Sequence, residues 1–487
     1  MPTKSQPPAP GQAERDTIEA DFCILGAGPG GIALAIAAAG YGQSVVLVEK
    51  HKMGGTALNY GALPAVALAA AAGRAQAFRS AQPFGIQAIE PVIDRAAVAA
   101  HIREVIESGT PNAAAERLTG LGVQVVTAAG RFTDTKTVVA GQHSIVARRY
   151  VIATGSTPRI PEIKGLDGVT YFTTETIYGY REPIDHLIVV GAGAAGVELA
   201  QAHRRLGARV TVIEKAAALG RFDPELTAVV RDRLRVEGVV IMEATEAVAV
   251  SAASGRVRVD GVGGEGEARV EGSHLLIACG RRPAIADLGL AEGKIAASED
   301  GIKVNRRLRT SNRRVYALGD VTGLPYSTHR AEYHASLLAR TLLFRQAGRV
   351  EPHLIPTAVH TDPQLACVGL SEAEARGKSS AIQVLRWPVR ENTCALALRA
   401  TEGHIKIIAD RGGRILGAVI VAKSAGELIQ VWALAVARGL SLDDMTAFIS
   451  PSPSLGGISQ AAVANRSAAK SGNAVSRRWV KILAKMG

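Results

Sequence analysis

The stretch "DFCILGAGPGG", Asp21 to Gly31, decides how this chain is read. An apolar run, Phe22 to Leu25, predicts a strand that leads into Gly26-x-Gly28-x-x-Gly31. Small apolar residues from Ile32 to Ala39 predict a helix, and a second strand, "SVVLVE", ends at Glu49. Strand, glycine turn, helix, strand and acid, in that order, are what a bound dinucleotide requires. Gly26 permits the tight turn, Gly28 lets backbone amides approach a pyrophosphate, and Gly31 allows close helix–strand packing. The helix N-terminus offers oriented N–H groups to the phosphates. Glu49 can accept hydrogen bonds from a ribose diol.

The pattern recurs. "HLIVVGAGAAGVELA" carries Gly191-x-Gly193-x-x-Gly196 after the strand Leu187 to Val190, and "ARVTVIE" ends at Glu214. Gly26 to Glu49 and Gly191 to Glu214 are equally spaced, and Gly42 and Gly207 precede their acids at the same distance. One such glycine set is a weak signal; two in matched context predict two dinucleotide sites. "VIATGS", Val151 to Ser156, reads as a strand running into a small-residue turn, and "YALGD" ends a strand at Gly319-Asp320, where a carboxylate can bond a sugar-alcohol chain.

With these motifs in their order, the chain resembles the pyridine nucleotide-disulfide oxidoreductases, the family of dihydrolipoamide dehydrogenase and mercuric reductase. Further shared pieces are GGTxLNxGxxP from Gly54, CGRRP at 279–283, "IPTAVHTDPQLACVGLSEAEA" from Ile355, and "GRILGAVIVAKSAGELIQ" from Gly413. The resemblance implies an α/β fold of two Rossmann-like domains, for FAD and NAD, plus a C-terminal α+β dimerisation domain. It divides the chain into an FAD domain (20–157 and 283–350), an NAD(P) domain (158–282), an interface domain (351–460) that makes a homodimer, and a tail (461–487). Residues 1–19, polar and proline-rich, are expected to be a disordered tail without a secretory signal. By the same resemblance FAD contacts Gly26, Gly28, Gly31, Glu49, Lys50, Gly55, Thr56, Thr154, Gly155 and Asp320, with His329 under the flavin ring. The nicotinamide cofactor contacts Gly191, Gly193, Gly196, Glu198, Glu214 and Gly280. Glu214 suits a free 2′-hydroxyl and repels a 2′-phosphate, which favours NADH over NADPH, although Lys215 beside it weakens that preference.

The departures bear on function. The family's redox cysteine pair would be residues 57 and 62; here both are alanine, Ala57 and Ala62. Methyl groups cannot replace a thiolate nucleophile. The family's lysine near the flavin falls at Val66, while its partner remains as Glu198. The family's acid–base histidine and its glutamate fall at Ser452 and Gly457 of "SPSLGG". Serine is a poor base unless activated. The resemblance therefore implies an FAD-dependent enzyme in which electrons leave for a small acceptor: quinone, metal ion, dye or oxygen. The alternative is a catalytically altered structural or redox-sensing flavoprotein. Ala57, Ala62, Val66, Ser452 and Ser454 are expected to line the acceptor space, with Tyr60 lining or gating it. Glu198, without its lysine, is expected to titrate high, which would make it a proton donor or, if ionised, a block to hydride transfer.

Composition excludes some classes. The four cysteines, Cys23, Cys279, Cys367 and Cys394, form no CxxC pair, so neither a disulfide framework nor a metal site is expected, and a reducing, cytoplasmic setting is. The net charge is +12, but aromatic residues are only 4%, so no nucleic-acid platform is expected. No membrane-spanning helix is expected. Residues 461–487 hold six Lys/Arg and no acid, and Val475, Trp479, Ile482, Leu483 and Met486 recur at helical spacing. That pattern fits a helix lying on an anionic membrane surface; a helix packed on the dimer, or simply solvated, is the alternative.

Overall fold

The computed structural model describes residues 15–253, 255–264, 266–471 and 474–484. The chain forms two compact units. The first comprises Met1–Pro64, Ile102–Arg159 and Arg281–Val350; the second comprises Ala65–His101, Ile160–Gly280 and Glu351–Gly487. Residues 65–101, expected with the first nucleotide module, thus group with the second unit.

In the first unit the strands Val123–Thr127, Val45–Glu49, Asp16–Leu25 and His143–Ile152 lie side by side in parallel, and Val315–Ala317 also pairs in parallel with His143–Ile152. Thr137–Ala140 and Gly130–Phe132 extend the sheet antiparallel. Phe22 and Ile24 pack into one apolar layer with Leu34, Ala35 and Leu338, while Cys23 and Leu25 pack into the opposite layer with Phe132 and Ile302. Burial on both faces explains why this strand reads as an unbroken apolar run, as parallel central strands do. The strand begins earlier than its apolar run. Asp16 to Ala20, four of whose residues were assigned to the tail, pair with His143 to Ala147. Asp16, Thr17 and Glu19 along this outer part face water, while the backbone ladder and the half-buried Ile18 and Ala20, packed against the core, carry the strand outward.

In the second unit Val239–Met242, Arg209–Ile213, His186–Val190, His274–Ile277 and Phe172–Thr173 form a fully parallel sheet. Thr245–Ala253, Arg256–Gly263 and Gly266–Gly272 form an antiparallel meander. The C-terminal part is a five-stranded antiparallel sheet, ordered Thr357–Val359, Gln364–Gly369, Ile415–Ala422, His404–Asp410 and Ile382–Pro388. The helices Ala425–Arg438 and Gly457–Ser471 share its core through Ile429, Trp432, Ala435, Ile458 and Val463. Trp432 is fully buried, and its indole N–H donates to Ser459 Oγ at 3.0 Å, which satisfies the one polar atom that burial would strand.

By length and composition alone Gly55–Arg79 could cross a membrane, against the sequence expectation. It consists of two helices, Gly55–Asn59 and Ala62–Arg79, interrupted at Tyr60 and Gly61. Ala67, Leu68, Ala72 and Ala75, recurring at helical spacing, are buried against the protein, so the second helix turns one apolar stripe inward.

Candidate functional site

Each unit carries one glycine cradle, and the two match closely. Gly26 has φ +107° and Gly191 +104°, a region that side chains rarely adopt. A Cβ on Gly26 would lie 2.5 Å from the Ala153 carbonyl oxygen, and one on Gly191 2.5 Å from that of Ala278. A Cβ on Gly31 would come within 2.0 Å of the Gly26 oxygen, and one on Gly196 within 2.1 Å of the Gly191 oxygen. Gly28 and Gly193 differ: each sits at an ordinary φ of −74° or −71°, and a Cβ there would meet nothing within 4 Å. Those two positions open onto free space at helix N-termini, where a pyrophosphate would lie.

The acids are fixed in the same way. Glu49 Oε2 accepts from the Ala27 N–H at 2.7 Å and its Oε1 from His51 N–H at 2.8 Å. Glu214 Oε2 accepts from Ala192 N–H at 2.7 Å and its Oε1 from Ala216 N–H at 3.0 Å. Each carboxylate therefore braces the glycine turn, and its second lone pairs remain for a ribose. Lys50 and Lys215, the next residues, are exposed.

Around the first cradle, Gly55 takes φ +56°, and a Cβ on it would lie 3.0 Å from Gly28 Cα. Asn59 donates to the carbonyls of Met53 and Gly55, both at 2.9 Å, which accounts for the asparagine in this motif. Thr154 Oγ1 donates to the Ala284 carbonyl at 2.8 Å, and Gly155 at φ +72° faces open space. Asp320 accepts from Ser156 Oγ at 2.7 Å and from the Ser327 N–H at 3.1 Å. Arg281 donates to Ser156 Oγ at 2.7 Å, to its carbonyl at 2.6 Å and to Thr56 Oγ1 at 3.5 Å. Sequence reasoning treated ATGS and CGRRP as glycine turns and missed this Arg281–Ser156–Asp320 chain, although all three residues lie in quoted motifs. His334 was also missed. Its Nδ1 accepts from Gly319 N–H at 3.2 Å, and burial, helped by Arg330, pushes its imidazole down to about 3, so it stays neutral. His329 is exposed on the first turn of Thr328–Phe344, with Ser327 Oγ 3.3 Å from its Nε2. This glycine cradle with fixed acids suits FAD, and the second suits a nicotinamide dinucleotide. In the second unit Gly280, at φ +91°, opens onto free space as Gly155 does.

The remaining expected residues are distributed between the units. In the first, Ala57 is half-buried and Ala62 exposed, while the Tyr60 ring lies beneath Lys52, with Nζ 5.6 Å from its centre. In the second, Val66 is 50% exposed. Ser452 is exposed and has no hydrogen bond among the described residues, so nothing there activates its hydroxyl. Ser454 Oγ is 2.7 Å from Ser450 Oγ, and its carbonyl accepts from Asn392. Glu198 is not left bare: its Oε1 accepts from the His360 N–H at 2.7 Å. Loss of water around Glu198 outweighs that bond and raises its carboxyl to about 7. Since this lies above the unfolded value of about 4.3, the group's contribution to stability is full below about pH 4.3 and is lost as pH rises through about 7. Glu198→Gln is expected to flatten the fall in stability between about pH 4.3 and 7, read as the urea midpoint of tryptophan fluorescence. An unchanged profile would remove Glu198 as the titrating group.

All four cysteines are free, and burial pushes the Cys23 thiol far above its usual range and Cys367 up to about 11. Among the described residues no cluster of His, Cys, Asp or Glu could hold a metal ion.

Residues 20–335 match the model of the pyridine nucleotide-disulphide oxidoreductase family, and residues 355–462 match its dimerisation domain. A mercuric reductase of Streptomyces lividans is 35% identical over 433 residues, covering 87% of this chain and 91% of that protein. A dihydrolipoyl dehydrogenase of Geobacillus stearothermophilus is 32% identical over 458 residues, covering 91% and 96%. Among solved structures, LpdA from Mycobacterium tuberculosis superposes with TM-score 0.84 at 26% identity, covering 92% of this chain and 99% of that one. The HOCl-induced flavoprotein disulfide reductase RclA from Escherichia coli, as its Cu(II) complex, gives 0.81 at 26% identity, covering 90% and 98%. The family is FAD-dependent, with NAD(P)H as electron donor, and its dimerisation domain is present here. On its duplicated cradles, its strand order and these matches, the chain belongs to the pyridine nucleotide-disulphide oxidoreductase family.

Proposed function

We propose that this protein is an FAD-dependent NAD(P)H oxidoreductase that delivers electrons to a small non-disulfide acceptor such as a quinone, metal ion, dye or dioxygen. The observation that carries the proposal is alanine at both Ala57 and Ala62, inside an otherwise retained glycine–asparagine–proline motif. Cys23, the one cysteine of the first unit, is sealed in its sheet and offers no replacement thiol. FAD held by Gly26, Gly28, Gly31, Glu49, Gly55, Thr154, Gly155 and Asp320 would supply hydride acceptance from the nicotinamide and electron release to the acceptor. Lys50, Thr56 and His329 complete the set that we assign to it. Gly191, Gly193, Gly196, Glu214 and Gly280 bind the nicotinamide dinucleotide, and the Glu214 carboxylate favours NADH. Ala57 and Ala62 present methyl groups in place of thiols, and Tyr60, which lies between them in sequence under the Lys52 ammonium, is the residue that we assign to line or gate the space. Val66, Ser452 and Ser454 remain the further candidates to line the acceptor space. For a quinone, the balance is NADH, one proton and quinone giving NAD+ and quinol. Glu198, with a carboxyl at about 7, is part-protonated near neutral pH and is the proton-bearing group that we assign to the reaction.

A second reading, flavin binding without turnover, draws on Val66, Ser452 and Gly457, where the resemblance expects a lysine and an acid–base pair. The two separate in an anaerobic stopped-flow experiment on the yellow protein. Fast flavin bleaching, NADH before NADPH, followed by reoxidation with quinone or ferricyanide but not with lipoamide or glutathione disulfide, supports the enzyme. Bound flavin that bleaches no faster than free flavin supports the second reading.

A further inference from the structure

We infer that the C-terminal helix docks the protein on an anionic lipid surface. The helix Ala474–Leu483 contributes Trp479, Val480, Ile482 and Leu483, and these are 59%, 64%, 45% and 59% exposed. Every residue from 478 to 484 is exposed, so none of the described residues covers these roughly two turns on any side. With about 3.6 residues per turn, Trp479, Ile482 and Leu483 stand at i, i+3 and i+4 and share one face. Arg478 and Lys481, three apart, share the neighbouring face. Three large apolar side chains in one exposed stripe, edged by cations, call for an occupant.

Charge identifies it. From residue 461 to 487 the sequence has six Lys/Arg and no Asp or Glu, and the whole chain carries +12. A second copy carries the same excess and is a poor electrostatic match for such a helix. A bilayer with anionic headgroups matches both faces at once. Cations reach the phosphates, the apolar stripe enters the acyl boundary, and an indole sits between them. The docking does not depend on the reading of the flavin site. If that reading holds, docking narrows the acceptor to one dissolved in the bilayer, a lipid quinone.

The test uses the full flavin-loaded protein and vesicles of phosphatidylcholine, with or without phosphatidylglycerol, without turnover. Sedimentation with the anionic vesicles only, weakening as salt rises, is expected. Each cation near such a surface is worth about fivefold in partition, so Arg478→Glu with Lys481→Glu is expected to lower binding by about 25-fold or more while flavin content stays unchanged. Brominated lipid is expected to quench wild-type fluorescence far more than that of Trp479→Phe, since Trp432 is fully buried and Trp387 lies half-buried in the C-terminal sheet, outside this helix. Equal binding to neutral vesicles, or full binding by the charge-reversed protein, overturns the proposal. So does protection of residues 478–484 from hydrogen exchange in lipid-free protein that disappears on dilution, because a second copy would then be the occupant. The narrowing of the acceptor fails separately if quinone-loaded anionic vesicles oxidise NADH no faster than quinone-free ones.

Discussion

Replacing Lys406 by methionine is expected to lower the stability of the second unit by about 3–5 kcal/mol, the usual cost of breaking a buried charge cluster from one side. Lys406 is 3% exposed in the strand His404–Asp410. Its Nζ lies 2.8 Å from Asp223, 2.9 Å from Glu225 and 2.7 Å from Glu372. Asp223 also caps the helix Pro224–Val236 by accepting from the Glu225 N–H. One ammonium thus joins the start of a helix in the nucleotide module to the C-terminal sheet. Methionine keeps the volume but leaves Asp223, itself buried, without its cation. All three tryptophans, Trp387, Trp432 and Trp479, belong to this unit, so intrinsic fluorescence reports its unfolding alone. A urea midpoint equivalent to a loss below about 1 kcal/mol would place the cluster among surface-like ion pairs and refute this account.

The cluster also sets acid stability. Arg386, which bonds Glu225, and Lys406, against the opposing loss of water, hold the Glu225 carboxyl at about 2. A value depressed below the unfolded one contributes stability that is full above about pH 4.3 and is lost as pH falls toward 2. Without Lys406 the acid limb of the stability curve is expected to move to higher pH.

A pair of alanine substitutions separates fold from ligand. Gly31→Ala sets a Cβ 2.0 Å from a backbone oxygen that cannot move aside, and more than about 3 kcal/mol is expected, the upper end of overpacking costs. The product is expected to be insoluble or colourless. Gly28→Ala meets nothing in the protein and has an ordinary φ. It is expected to fold normally and yet hold FAD roughly tenfold or more weakly, about 1.4 kcal/mol or above, because its methyl occupies the approach to the pyrophosphate. In the second cradle, Gly193→Ala is expected to stay yellow while needing far more NADH to bleach. Absorbance at the flavin band, circular dichroism and NADH titration read these outcomes. A Gly28→Ala protein with unchanged flavin affinity would mean that the phosphates lie elsewhere.

The two cradles were legible because backbone geometry dictates four of their glycines: positive φ at Gly26 and Gly191 and contacts of 2.0–2.5 Å at these and at Gly31 and Gly196 disfavour any side chain, so their spacing in the sequence is itself a constraint. The apolar strand was legible because both its faces are buried. Its outer half was not, since Asp16 to Ala20 offer only two apolar residues, Ile18 and Ala20, and are held largely by a ladder to residues more than a hundred positions away. The same distance in sequence hid Arg281 behind Ser156 and Asp320, and Lys406 behind Asp223 and Glu372. The raised carboxyl of Glu198 was foreseeable from the missing lysine, but its bond to the His360 N–H depends on a loop that no local signal marks. Of the C-terminal pattern, Trp479, Ile482 and Leu483 fall on the described helix, while Met486 and the side chain of Val475 lie outside the described residues.

The bracing of each glycine turn by its acid restricts how this protein could change its coenzyme. Exchanging Glu214 for arginine would welcome a 2′-phosphate, but a guanidinium cannot accept from Ala192 and Ala216, whose N–H groups would lose their acceptor. Coenzyme choice and turn integrity are therefore one inherited trait rather than two. A change of coenzyme through arginine at this position would have to reshape the loop together with the acid.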